Sequence, residues 1–178
     1  MNIKTYFRGL KDNIVMATVH MVLIALLLLF PYFFYKKRTR RMAKFYTNMA
    51  YNPYFRRFYA MILLFMVLLT PFTFFSIWPM EYGLMVSTIV IIYIFSAKRC
   101  VSLLRGVRNS RAVMVGLFTL ILALVFTPHM YTLAVSLAFI LMAALFYPSA
   151  RIERDSYNHH VYPSWDNMMD DLIHNYFG

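Results

Sequence analysis

The residues of this chain that could do acid–base, metal or nucleophilic chemistry are few and scattered. Within or between its long apolar stretches the ionisable candidates are His20, Glu81 and His129. Ionisable groups at depth are what a proton relay or a coupled ion carrier requires. His20 has no acid near it in sequence. Glu81, flanked by Pro79 and Gly83, falls in a connector that water reaches. Glu81 with His129 would give two ligands, too few to define a metal site. Near the C-terminus His159, His160, Asp170 and His174 form a richer set, and Asp170 and His174 share a helix face at i, i+4. The chain nevertheless has no HExxH motif, no paired cysteines and no recognised ligand spacing. Ser87, Ser136 and Cys100 lack a partnered base, and no glycine-rich phosphate loop is present. The expectation is a protein that is not an enzyme, with no catalytic, metal-binding or cofactor-binding residue. Cys100 stands alone, so no intrachain disulfide forms. Its neighbours Lys98 and Arg99 put it at the boundary of an apolar run, where acylation occurs in some proteins; an idle reduced thiol is the simpler reading.

The elements around these residues are dominated by hydrophobicity. Of 178 residues 61% are hydrophobic and 14% charged, against about 25% charged in a soluble domain. From Phe58 to Ala97 the one charge is Glu81, and from Ala112 to Ala150 there is none. A bilayer core takes roughly 20 helical residues per crossing, so each stretch is expected to double back as a helical hairpin. A third apolar run, Ile14 to Tyr35, adds one more crossing. The predicted fold class is all-α: a polytopic integral membrane protein of about five transmembrane helices, one N-terminal span plus two hairpins, with a short amphipathic C-terminal helix. The domain boundaries that follow are a basic N-terminal segment at 1–13, a membrane domain at 14–150 with spans about 14–35, 58–78, 82–97, 112–127 and 130–147, and an acidic tail at 151–178. No small-x-small cleavage pattern follows the first run, which therefore reads as an uncleaved anchor.

The net charge of +11 is unevenly placed. Eight cations (Lys36, Lys37, Arg38, Arg40, Arg41, Lys44, Arg56, Arg57) lie between the first and second spans, and five (Lys98, Arg99, Arg105, Arg108, Arg111) between the third and fourth. The intervening connectors, Pro79–Tyr82 and Pro128–His129, hold no Lys or Arg. That alternation is the positive-inside pattern. It predicts both basic loops and the C-terminus in the cytoplasm of a bacterial inner membrane, with the cations serving as topology signals and contacts to anionic lipid headgroups rather than to nucleic acid. Five crossings then put the N-terminus outside, although Lys4, Arg8 and Lys11 pull the other way.

Residues 98–111 are expected to form a short interfacial helix, with Val101, Leu104 and the stems of Arg105 and Arg108 along the headgroups. Asn52-Pro53 reads as a turn. The tyrosines at the ends of the apolar runs (Tyr32, Tyr35, Tyr54, Tyr59, Tyr82, Tyr93, Tyr131, Tyr147) read as interfacial anchors. Each hairpin begins at an arginine (Arg57, Arg111) and contains a Thr-Pro pair (Thr70-Pro71, Thr127-Pro128), which an internal duplication would produce. Gly116 with Ala123, and Ala134 with Ala138, are candidate helix-packing seams, within the chain or between copies. In the tail, Ser164 is a candidate N-cap for a helix over Trp165 to Phe177. Its apolar face, Trp165, Met168, Met169, Leu172, Ile173 and Tyr176, is a candidate docking surface for the chain's own basic loops or for a partner.

Action through contact is what this inventory leaves. The expected function is that of a non-enzymatic accessory or assembly subunit of a membrane complex of the secretion or conjugative-transfer type. An exclusion or immunity protein guarding the membrane against a transfer system or pore-forming toxin is the second expectation. A small oligomeric pore or carrier lined by Ser87, Thr88, Thr119, Ser136 and the tyrosines is the third. Expected partners are anionic lipids and other membrane proteins or further copies of the chain.

Overall fold

The computed structural model describes residues 3–75, 82–149, 152 and 165–177. Every element within them is an α-helix: α1 (Ile3–Phe34), α2 (Arg40–Tyr51), α3 (Pro53–Phe75), α4 (Tyr82–Ile94), α5 (Ala97–Asn109), α6 (Arg111–Phe126), α7 (Tyr131–Leu145) and α8 (Trp165–Phe177). The all-α class is as expected. Helix α1 runs without a break from Ile3 to Phe34, so the described part of the basic N-terminal segment and the first apolar run are one helix.

Single polar residues join short basic helices to long apolar ones. Asn52 ends α2 and starts α3, its Oδ1 accepting the N–H groups of Tyr54 at 2.9 Å and Phe55 at 3.3 Å. Pro53 fits the first helical position, where no amide hydrogen is needed. Ser110 stands in the same way between α5 and α6, with Oγ accepting from Val113 N–H at 3.4 Å. Both linkers are extended, at φ −107°, ψ 106° and φ −114°, ψ 107°. The order of basic amphipathic helix, one capping residue and long apolar helix thus occurs twice. The two Thr-Pro pairs do not occupy equivalent places in it, because Pro71 lies inside α3 while Pro128 lies in the α6–α7 turn.

Helix α7 is the hub. It packs against α1, α3, α4, α5 and α6, and ten of its fifteen residues are buried. Small side chains allow that approach: Ala134 and Ala138 meet Ile24 of α1 and Ile121 of α6 in one cluster, while Ala143 and Ala144 join Leu63, Val67 and Ile91 in another. The outer faces of the surrounding helices stay apolar and exposed, as at Leu26, Phe65, Ile89 and Phe118.

Among the described residues one helix, over Pro53–Phe72, is able by length and composition to cross a membrane, or two if α4 and α5 count as a single span bent by 105°. Helices α6 and α7 are apolar but shorter, and Met21–Phe34 is the apolar end of the 32-residue α1. Five full-length spans are therefore not what helix length gives, because the turn around Pro128 and the break at Phe95-Ser96 cut the apolar runs into shorter pieces.

At the end of the bundle away from the cations, Gly83 at the start of α4 touches the α6–α7 turn, its N–H donating to His129 O at 2.9 Å. A Cβ at Gly83 would lie 3.1 Å from Met130 Cα and 3.3 Å from His129 O, backbone atoms that cannot swing aside. A Cβ at Gly116 would meet nothing within 4 Å. Gly83→Ala is therefore expected to destabilise by about 1–3 kcal/mol through overpacking. Gly116→Ala, on an exposed helix interior, should stabilise by up to ~1 kcal/mol. Thermal unfolding of the two variants in detergent checks both signs, and equal shifts would contradict the packing described.

Candidate functional site on the basic face

Helices α2, α5 and α8 gather at the end of the bundle that holds the cationic connectors. Helix α2 replaces what sequence had left as a loop up to Asn52. Thr39 Oγ1 caps it by accepting Met42 N–H at 3.4 Å, and it buries Ala43, Tyr46, Met49 and Ala50 while Arg40, Arg41 and Lys44 stay exposed. Helix α5 falls within two residues of the expected 98–111. It buries Cys100, Leu104 and Val107. Leu104 belongs to the core rather than to a headgroup-facing stripe.

The tail helix α8 spans Trp165–Phe177 and lies against α2. Of its expected apolar face, Met169, Leu172 and Tyr176 are buried and Ile173 is half-buried. The side chains of Trp165 and Met168 lie outside the described residues, as do Ser164, His159, His160, Glu81, Pro79 and the His20 side chain. The docking is apolar and aromatic at heart. Tyr46 and Tyr176 rings meet at 4.9 Å with their planes tilted by 50°, Phe177 sits edge-on to Tyr46 at 5.2 Å and to Tyr35 at 4.5 Å, and Arg108 lies 5.5 Å above the Phe177 ring. Arg108 also donates from Nη1 to Tyr35 Oη at 3.4 Å, so this residue turns inward rather than along a headgroup plane. The charge contact one would expect of an acidic tail on a basic face is present in Arg38–Asp170, at 2.6 Å. Its side chains are 68% and 57% exposed, which limits the pair to about 0–1 kcal/mol.

Hydroxyls complete the backbone at this end. The last carbonyls of a helix have no partner within it. Tyr46 Oη donates to Phe34 O of α1 at 3.1 Å, Tyr59 Oη to Ala143 O of α7 at 3.2 Å, and Tyr176 Oη to Phe146 O just past α7. Ser149 returns the service to α8, donating from N–H to Tyr176 O at 3.1 Å and from Oγ to Asn175 O at 2.6 Å. Tyr46, Tyr147 and Tyr176 are thus core residues, whereas Tyr32, Tyr54, Tyr82 and Tyr93 are the exposed ones. Burial pushes the Tyr46 hydroxyl up to about 12 and that of Tyr176 well above the usual tyrosine range. Burial also pushes the Cys100 thiol up to about 11, and its Sγ faces Ala60 O at 3.8 Å. A thiol of that kind is a packed side chain and not a poised nucleophile.

The other candidates are dispersed. Among the described residues no three of His, Cys, Asp and Glu come together as a metal set. His129 is exposed at φ 63°, edge-on to Tyr82 at 6.4 Å. Asp170 is engaged by Arg38, and His174 is exposed. Ser87 Oγ and Thr88 Oγ1 donate to Leu84 O, Ser136 Oγ to Thr132 O, and Thr119 Oγ1 to Val115 O and Gly116 O, so these hydroxyls bond to their own helices. The small-residue seam divides: Ala134 and Ala138 are packed inside, while Gly116 and Ala123 face outward on α6.

The remaining cations line the rim. Lys36, Lys37, Arg38, Arg40, Arg41 and Arg99 are exposed, Lys36 lying 5.6 Å over the Phe177 ring. Arg57, Lys98 and Arg105 are exposed as well, and with the half-buried Arg56 they line an open cavity of about 440 Å³ between α3 and α5, with Tyr147 at its edge. Comparison with protein-family models, with curated proteins and with solved structures finds no match.

The contact pattern ranks the forces that hold α8. Leu172→Ala is expected to cost about 2–5 kcal/mol of docking, seen as protease cleavage of the tail. Asp170→Asn should shift the same cleavage by less than about 1 kcal/mol. The tyrosines add a pH dependence. A hydroxyl raised in the docked state contributes stability that is whole below the free tyrosine pKa of ~10 and is lost as pH rises toward the raised value. Docking should therefore hold to pH 10 and fail toward pH 12, and Tyr46→Phe should flatten that loss.

Proposed function

We propose that this chain is a polytopic protein of the bacterial inner membrane that works without catalysis, as an accessory or assembly subunit of a membrane complex of the secretion or conjugative-transfer type. The observation that carries the reading is the distribution of surface: a belt of exposed Leu26, Phe33, Phe65, Met85, Ile92 and Phe126 around a packed hub, with the described cations from Lys36 to Arg111 gathered at one end. An apolar belt of that extent on a water-exposed protein marks an interaction surface or a hazard, and hydrocarbon satisfies it. In this reading α1, α3, α4, α6 and α7 cross the bilayer, and the cationic end faces the cytoplasm. Helices α6 and α7, with 16 and 15 residues, measure about 24 and 22 Å, and the bilayer thins around them.

The partner contact is drawn on α6. Its outward face carries Gly116, Thr119 and Ala123, all exposed among the described residues, and small residues of that kind let a neighbouring helix come close. Reporter fusions at Lys44 and Arg105 should read cytoplasm and at Glu81 and His129 exterior, and the chain should resist carbonate extraction. Affinity purification in mild detergent should then yield a stoichiometric membrane partner that Gly116→Phe removes. Exterior signals at Lys44 and Arg105, or a chain released by carbonate, would overturn the membrane reading; a lone monomer from native membranes would overturn the subunit role.

A further inference from the structure

The cavity between α3 and α5 sets four cationic side chains against one another. Arg56 and Arg57 come from the first turns of α3, and Lys98 and Arg105 from α5, some forty residues further along the chain. Ser102 adds a hydroxyl, and no acidic side chain occurs among the described residues that line the space. Ala97 and Lys98 form one wall, so the positive end of α5 adds to the same field. An anion placed in this space is attracted by all four side chains. Guanidinium groups match phosphate oxygens in pairs. The volume of about 440 Å³ lies in the range of small-ligand sites, ~300–1,000 Å³.

A second space lies along the same side of α3. Arg57, Leu64, Leu68 and Pro71 follow one helix face at spacings of seven, four and three. Leu68, Pro71 and Phe72 with Leu84, Ile91 and Phe95 of the α4 segment form an apolar groove of about 510 Å³. Phe95 is two residues from Ala97, so the chain passes from the groove to the basic cavity through the 105° bend between α4 and α5.

We propose that these two spaces form a single site for an anionic phospholipid, the headgroup phosphate held by Arg56, Arg57, Lys98 and Arg105 and an acyl chain lying in the α3–α4 groove. The proposal rests on the membrane reading above and goes beyond it: this is a saturable site for one lipid, distinct from diffuse attraction to a charged surface. The rim cations Arg40, Arg41 and Lys44 carry equal charge at the same end and supply the contrast.

The test titrates the full chain in neutral-detergent micelles with phosphatidylglycerol, phosphatidylcholine or inorganic phosphate, counting bound lipid by native mass spectrometry. Phosphatidylglycerol is expected to saturate near one per chain and to bind at least tenfold more tightly than phosphatidylcholine. Arg57→Gln/Lys98→Gln/Arg105→Gln should weaken it tenfold or more, and Arg40→Gln/Arg41→Gln/Lys44→Gln less than threefold. Ser102→Trp, which fills the cavity without changing charge, should match the first variant, with unchanged helix content and thermal midpoint showing that it is folded. Equal losses in the two charge variants, binding without saturation, or full displacement by inorganic phosphate at the lipid's concentration would overturn the site. Carbonate extraction of the same variants keeps the outcomes separate: a chain that stays in the membrane yet shows no saturable lipid loses this site alone.

Discussion

The structure depends on α7 being able to take neighbours on every side. A helix buried all round can offer no unsatisfied polar group and little bulk where backbones approach. Helix α7 meets both demands with Ala134, Ala138, Ala143 and Ala144 at its contacts and with Ser136 bonded back to Thr132 O. Of the helices around it, α1, α3, α4 and α6 leave large apolar side chains exposed on their outer faces, while α5 turns cations outward. From this follows the outward character of the molecule: a collar of large aliphatic and aromatic side chains with its charge confined to one end.

At that end the limiting condition is a different one. Helices α1, α7 and α8 all finish among aromatic side chains, where their last carbonyls would lack water. The hydroxyls of Tyr46, Tyr59, Tyr176 and Ser149 supply the missing donors. The tail helix is thereby tied into the core by the same bonds that finish α7. The Arg38–Asp170 pair contributes little beside this, since it is open to solvent. Oppositely charged segments that find each other in sequence here meet through their apolar faces.

Helix periodicity made part of this readable in advance. The pattern of Met169, Leu172, Ile173 and Tyr176 placed the last helix at its observed bounds, and α5 came out within two residues. Helix α2 escaped because its cations read as topology signal, although Thr39 and the spacing of Ala43, Tyr46 and Ala50 carry a cap and an apolar face. Tyrosine at the end of an apolar run is equally compatible with a headgroup anchor and a packed side chain, so Tyr59 and Tyr147 could not be told from the exposed Tyr54 and Tyr93 by position. Seven-residue spacing made Gly116 and Ala123 look like Ala134 and Ala138, yet the first pair faces out and the second in. Spacing defines a face without saying what covers it. The grouping of Arg56 and Arg57 with Lys98 and Arg105 depends on α3 lying beside α5, a long-range pairing that no local pattern announces.

The hub has a temporal consequence. Helix α7 emerges from the ribosome after α1, α3, α4 and α6, so the surface those four share does not exist while they are being made. Helices α3, α4, α5 and α6 can touch one another before Tyr131–Leu145 is made, whereas α1 packs chiefly on α7. The first helix to be synthesised is then the one that waits longest for its place, and a ribosome stalled before residue 131 would leave it undocked.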